Sequence, residues 1–247
     1  ARQATGSNPV WLALGDVRLL APVPRPGKIV ALALNYRDHL EETGREAPTF
    51  PTFFTKQSTC VVGPGDDIEV PRVSELVDYE GELAVVIGTR CRHVPAAEAL
   101  SVVAGYTIVN DVTVRDWQLK APTMMIGKSF DTHGPMGPWI VTTDELPDPQ
   151  TLGLRTTVNG QVLQDGNTRD MIFDVATQIE TLSTAMTLEP GDVISTGTPA
   201  GVGIVRQPMV LLKPGDVVRI EIEGIGALEN PVVAEPASSS RCSPRTS

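Results

Sequence analysis

Cysteine is scarce: Cys60, Cys91 and Cys242 are the only three in 247 residues. They are odd in number and far apart, with no C-x-x-C, which argues against a disulfide scaffold or a zinc site and makes a reducing cytoplasm the expected compartment. Long apolar runs are missing too. The longest, such as residues 83–87, are strand-sized, whereas a membrane span needs about 18 consecutive apolar residues. Basic charge is also in deficit. Twenty Lys and Arg stand against 30 Asp and Glu, a net of −10, which argues against nucleic acid or an anionic membrane as partner. The acid surplus leaves two uses: solubility, or carboxylates gathered around a cation. No internal repeat is visible. The N-terminus lacks the basic start and apolar run of a secretory leader, and the native start is expected to lie further upstream.

What is present fits one large domain. The composition, 41% hydrophobic and 20% charged, is that of an ordinary globular chain. Gly and Pro contribute 43 residues, which implies many turns and short strands. Residues 1–27 read as a short β segment, hairpin-like over 10–14 and 17–20, that ends in the stiff linker APVPRPG. Short β-like runs follow at 28–34, 52–55, 67–70, 80–87, 106–110, 139–141, 154–158, 193–195 and 217–222. Helical character is predicted at 35–42, stopping at Gly44, and at 96–99 and 114–119. It is clearest at 172–186, where Ile172, Val175, Ile179, Leu182 and Met186 recur at spacings of three and four. The Ser/Pro-rich stretch 234–247 is expected to be disordered. Regular strand–helix alternation is absent, so a barrel or doubly wound sheet is excluded. A strand-rich α+β fold with a curved, mixed sheet is expected.

Several groups of residues offer chemistry. Glu80 and Glu82 flank Gly81 and run into LAVVIG; on a strand they point to the same face. Two carboxylates entering an apolar strand repel one another and lose hydration, which a hard divalent cation between them would relieve. Taken alone, the pair is equally a solvent-facing edge. Asp111, at the end of GYTIVND, reads as a third ligand or as the N-cap of the next helix. His39 and Glu42 are three apart on a helix, where a carboxylate orients an imidazole and raises its basicity. An exposed surface pair has the same spacing. His93 and His133 lack an acidic neighbour at helical spacing and read as loop or surface residues. Gly127-Lys128-Ser129 resembles the end of a P-loop, but Pro122 occupies the position of the required glycine. The Gly-rich run 196–203 reads as an anion-binding loop or a plain turn.

Read in order, these groups resemble the fumarylacetoacetate hydrolase family. LNYRDHLEETG, FFTKQST, the Glu80-Gly81-Glu82 segment, NDVTVRDWQ, GKSFDTHGPMGPW, VNGQVLQDGNTRDMIF and LEPGDVISTGTPAGVG carry the resemblance, which spans roughly residues 28–233. It implies a mixed β-roll, dimeric in the family, that binds Mg²⁺ or Mn²⁺. By motif match Glu80, Glu82 and Asp111 are the metal ligands. His39 and Glu42 form the dyad, on a segment that acts as a lid in relatives, and Lys128 is the lysine near the metal. Tyr36, Lys56, Arg115, Gln118 and Thr198 match positions lining the substrate pocket. Ala33 stands where many relatives have Gly. Leu32 replaces a further acid of the founding hydrolases, so the chain resembles the shorter three-carboxylate branch.

That branch holds acylpyruvate and fumarylpyruvate hydrolases, oxaloacetate decarboxylases, and isomerases and decarboxylases of aromatic meta-cleavage pathways. The fold and the metal transfer across it; the reaction does not. A small 2-oxo acid would chelate the ion, and hydrolysis, decarboxylation and isomerisation then share one enolate. With both His39 and Glu42 present, water activation is available. The expectation is therefore hydrolytic C–C cleavage of a 2,4-dioxo acid, with isomerase or decarboxylase as the alternative. A non-catalytic binding protein of the same fold would need no dyad.

Overall fold

The computed structural model describes residues 11–237. In chain order its first elements are β1 (Ile29–Ala33), α1 (Arg37–Thr43), β2 (Thr52–Lys56), β3 (Val61–Val62), β4 (Ile68–Val70) and β5 (Val77–Asp78). Next come β6 (Gly81–Ile87), β7 (Val103–Asn110), β8 (Thr113–Val114), α2 (Arg115–Gln118) and β9 (Gly134–Thr142). The chain continues through β10 (Gly153–Val158), β11 (Gln161–Asn167), α3 (Val175–Ala185), β12 (Val193–Ser195), β13 (Val217–Ile222) and β14 (Gly226–Ala234). A seven-stranded mixed sheet runs β2-β1-β12-β6-β7-β9-β3 and a five-stranded sheet runs β11-β10-β13-β14-β4, with β5 and β8 as a small separate ladder. This is the expected strand-rich α+β architecture with mixed sheets and few helices.

β6 explains most of the layering. All seven of its residues are buried, so both of its faces are covered. Leu83, Val85 and Ile87 join a core with Leu154, Ile220 and Leu228 of the five-stranded sheet. Ala84, on the other face, packs with Val109, Met136 and Val193. Glu82 shares the parity of Ala84, so the carboxylates lie on the face turned away from the five-stranded sheet. Gly81 belongs to the packed face. A Cβ there would overlap Thr156 Oγ1 and stand 3.1 Å from Ile220, so only glycine lets the second sheet close onto β6 here.

The helices are positioned by local signals. Gly44 ends α1 in the left-handed region at φ 64°, as its glycine predicts. The Asp174 side chain caps α3 by accepting from Thr177 N–H at 2.7 Å. β11 and β14 were not legible, because their polar residues (Gln161, Gln164, Asp165; Glu229, Asn230) break the apolar run that marks a strand.

Three expectations need correction. Residues 11–27 hold no strand; they carry a 3₁₀ turn at Leu14–Asp16, since an exposed segment followed by Pro22, Pro24 and Pro26 has no sheet edge to join. The part of that expected β segment over 1–10 lies outside the described residues. The C-terminal boundary moves as well: Ala234 completes β14 and Glu235 N–H bonds Val70 C=O at 3.0 Å, while 238–247, including Cys242, lie outside the described residues. Lastly, His133 is fully buried rather than on the surface. Its Nε2 lies 2.8 Å from Glu69 C=O, and burial pushes its pKa down to about 4.

Gly81→Ala is expected to cost about 1–3 kcal/mol in urea denaturation, the range for overpacking a tight core. It should also weaken divalent-metal binding, because the strand carrying Glu80 and Glu82 must shift. Gly15→Ala, whose Cβ meets nothing within 4 Å, is the control that leaves both unchanged.

Candidate active site and metal centre

The register of β6 against β7 assembles three carboxylates. Gly81 pairs with Asn110, Asp111 N–H donates to Glu80 C=O at 2.9 Å, and Asn110 Oδ1 accepts from Glu80 N–H at 3.1 Å. Glu80, Glu82 and Asp111 are thereby brought together, each offering one oxygen with all three within 4.8 Å of one another, and all three buried. Asp111 is not an N-cap: α2 begins after Val114.

Buried like charges need partners, and the surroundings supply them. Lys128 Nζ bridges Glu80 Oε2 and Asp111 Oδ2 at 2.7 Å each. Lys56 Nζ holds Asp111 Oδ1 at 2.7 Å and also donates to Lys128 C=O. Arg115 joins Glu80 Oε1 and Asp78 Oδ2 at 2.7 Å each. Burial pushes Glu80 upward, but the pull of Lys128 and Arg115 wins and holds it at about 2. Glu82 goes the other way. Burial, then Asp111 and Glu80, push it up to about 8 against the bonds it accepts from Ser195 Oγ (2.5 Å) and Gly197 N–H (3.0 Å). The cluster thus has four acids (Asp78, Glu80, Glu82, Asp111) against three cations (Lys56, Arg115, Lys128), and it is neutral while Glu82 keeps its proton.

The residues fit a hard divalent ion. Three oxygen donors converge, and the unneutralised acid, Glu82, is the charge a cation would satisfy. Glu80, Glu82 and Asp111 would hold it.

The dyad sits on α1. His39 Nδ1 lies 2.6 Å from Glu42 Oε1. A carboxylate only accepts, so Nδ1 carries the proton and Nε2 remains the basic nitrogen. Glu42 Oε2 accepts from Gly201 N–H at 2.9 Å, and Asp38 Oδ2 from Ala200 N–H at 3.1 Å, so α1 is clasped to the Gly-rich loop. Asn35 fixes the start of this segment: its amide donates to Thr196 C=O (2.7 Å) and Phe173 C=O (3.0 Å) and accepts from Phe173 N–H (2.8 Å).

A cavity of about 940 Å³ opens over these groups, lined by His39, Glu42, Glu80, Glu82 and Lys128, with Arg115, Gln118 and Thr198 on its wall. Two residues matched to the substrate pocket lie elsewhere. Tyr36 is fully buried in the hydrophobic core, and Lys56, 3% exposed, stands behind Asp111 as its counter-ion. Thr198 Oγ1 is engaged, donating to Gly81 C=O and accepting from Gln164 Nε2. Sequence reasoning missed Asp78, whose carboxylate accepts from Gly203 and Ile204 N–H while pairing with Arg115. Its spacing of two from Glu80 was the available signal.

The fold and this site, a buried carboxylate triad beside a His–Glu pair on mixed sheets, agree with a known family. The profile described as fumarylacetoacetate (FAA) hydrolase C-terminal matches residues 28–233, and the chain belongs to that family. It is 45% identical over 235 residues to a mitochondrial oxaloacetate tautomerase of Xenopus laevis, covering 94% of this chain and 74% of the relative. Among solved structures it is similar to a 5-carboxymethyl-2-hydroxymuconate delta-isomerase from Mycobacterium smegmatis, with 48% identity, TM-score 0.81, and 90% and 84% of the two chains covered. It is also similar to a fumarylacetoacetate hydrolase from Exiguobacterium antarcticum, with 45% identity, TM-score 0.82, and coverage of 88% and 79%. Among the described residues no helix is long and apolar enough to cross a membrane.

The elevated Glu82 makes metal binding pH-dependent. Metal must displace its proton, so below about pH 8 affinity should fall up to about tenfold per pH unit with close to one proton released, read by calorimetry in buffers of different ionisation enthalpy. Without metal the sign for stability is set the same way. The folded chain keeps a proton that the unfolded chain loses from about pH 4.5, so stability falls as pH rises toward 8, and Mg²⁺ restores it. Glu82→Gln should abolish the proton release and weaken metal binding by at least about tenfold. Affinity that is flat from pH 6 to 9 would contradict the assignment.

Proposed function

We propose that the protein is a divalent-metal-dependent hydrolase that cleaves a C–C bond in a 2,4-dioxo acid of the acylpyruvate or fumarylpyruvate type. The observation that carries this reading is the His39–Glu42 pair on the cavity wall above the carboxylate triad. A Mg²⁺ or Mn²⁺ ion held by Glu80, Glu82 and Asp111 would supply Lewis-acid polarisation of the 2-oxo carboxylate. Everything else falls to the chain. Nε2 of His39, left free because Nδ1 donates to Glu42, takes a proton from water as its oxygen adds to the C4 carbonyl. The tetrahedral adduct then collapses and the C3–C4 bond breaks, its electron pair passing to C3 as the enolate of the 2-oxo acid. The imidazolium returns its proton to C3. Lys128 adds fixed positive charge beside the head of the substrate, and the Gln118 side chain lines the approach.

A second reading is favoured by the names of the relatives: the same dyad moves a proton without attacking carbon, as in a tautomerase or isomerase. Product analysis separates the two. Pyruvate plus a second acid marks hydrolysis, CO₂ marks decarboxylation, and unchanged mass marks isomerisation. A homodimer belongs to the same proposal, supported by the open edge of β2 in the main sheet beside the exposed Phe50.

If His39 activates water, His39→Ala should lower kcat by about 10²- to 10⁴-fold while leaving Mg²⁺ affinity intact. The variant should still exchange the substrate's C3 protons with deuterated solvent. Wild-type cleavage by the variant would refute the role. Joint loss of cleavage and exchange would instead favour His39 as the base for enolisation.

A further inference from the structure

The cavity above the triad has a mixed lining. Glu80, Glu82 and Lys128 are its buried charged members, and Leu34, Leu76, Met124 and Ile204 add apolar wall. Arg45 lines it as well, just past the end of α1. The other charged side chains on this wall have partners. Arg115 is held by Asp78 and Glu80, Lys128 by Glu80 and Asp111, and Glu42 by His39 and Gly201. Asp116 accepts from Ser74 Oγ, and Lys120 Nζ rests 3.6 Å from the centroid of Trp117. Among the described residues the Arg45 guanidinium has neither an ion pair nor a hydrogen bond.

Its backbone is nonetheless fixed. Gly44 turns left-handed at φ 64°, Gly44 N–H donates to Glu41 C=O at 3.3 Å, and Arg45 N–H donates to Leu40 C=O at 3.1 Å. The bond from Arg45 to Leu40 is the six-to-one link that closes a helix C-terminus. The turn that ends the helix therefore delivers a cation to the cavity six residues after His39. Six residues at 1.5 Å each correspond to about 9 Å, the last two of them in the turn past the helix. A guanidinium left without a carboxylate in a net-acidic protein, on a wall where every other cation is engaged, is available to an incoming anion.

We propose that Arg45 is a subsite for a second carboxylate on the substrate, so that the cavity selects 2-oxo diacids over 2-oxo monoacids. The head lies at the triad, an uncharged spacer runs along the apolar flank, and the distal carboxylate meets the guanidinium fork. This rests on the reading of the triad as a 2-oxo acid site, and it is independent of whether the chemistry is hydrolysis or proton transfer. Because Arg45 is exposed, the gain is modest and sensitive to salt.

The test compares two acids of equal length, 2-oxoadipate and 2-oxohexanoate, by calorimetry in the presence of Mg²⁺. The wild-type protein should prefer the diacid by about five- to tenfold, less at high ionic strength. Arg45→Met should bring the ratio to about one, and Arg45→Lys should restore part of it. An unchanged ratio in Arg45→Met, or a loss shared equally by both acids, would overturn the subsite. Equal affinity of the two acids for the wild-type protein would overturn it too, while leaving the 2-oxo acid reading standing. Failure of both acids to bind when Mg²⁺ does would remove the 2-oxo acid reading and the subsite together.

Discussion

Burying four carboxylates around one point of a β-strand is the constraint on which the rest of this structure depends. Isolated charges in such a place cost several kcal/mol each, so they persist only if the surroundings are built around them. Here three cations come from three separate places. Lys56 ends β2, Arg115 opens α2, and Lys128 follows the segment packed on α2. Each arrives at 2.7 Å from an acid it neutralises. The count leaves one acid over, and that acid is Glu82. Its pKa is raised by burial first and then by the neighbouring Asp111 and Glu80, against a weaker pull from Lys128, and a divalent ion would relieve the same crowding of acids. The site carries its demand for metal as an imbalance of a single charge.

The same economy governs α1. The two carboxylates of α1 that face the Gly-rich loop each accept a backbone N–H, from Ala200 and from Gly201. Glu42 does this with one oxygen while its other oxygen orients His39. The loop is in turn tied to the triad, since Gly197 N–H and Ser195 Oγ donate to Glu82 and Thr198 Oγ1 donates to Gly81 C=O. His39, the loop and Glu82 therefore form one connected network of hydrogen bonds. A shift of α1 would be felt at Glu82 through these contacts, and the reverse also holds.

Much of this was legible in the chain before any coordinates, and the reasons differ from part to part. Apolar strands such as β1 and β6 announce themselves, and strand parity puts Glu80 and Glu82 on one face. The His39–Glu42 contact follows from helical spacing alone. What periodicity could not reach was anything set by long-range pairing. Tyr36 looked like a pocket residue by motif, yet it is fully buried in the core, and Lys56 turned out to serve Asp111. His133 looked like a loop histidine because its partner, the carbonyl of Glu69, lies 64 residues away. Strands of mixed polarity, β11 and β14, carry no period-two signal strong enough to see.

Structures with TM-scores of 0.81 and 0.82 to this chain carry the names of an isomerase and a hydrolase, so the fold alone does not decide the reaction. Strand register makes the metal centre, and register is a property of the fold as a whole. α1 with its flanking turns is short, partly exposed and held by a few polar contacts. That helix presents His39 and Glu42 to the cavity, and its C-terminal turn presents Arg45 to it. Changing what α1 presents would alter the lining of the cavity while leaving the ion pairs of Lys56, Arg115 and Lys128 in place. A fold whose interior is given over to buried, paired charges thus leaves this surface segment as the part that can change at small cost in stability.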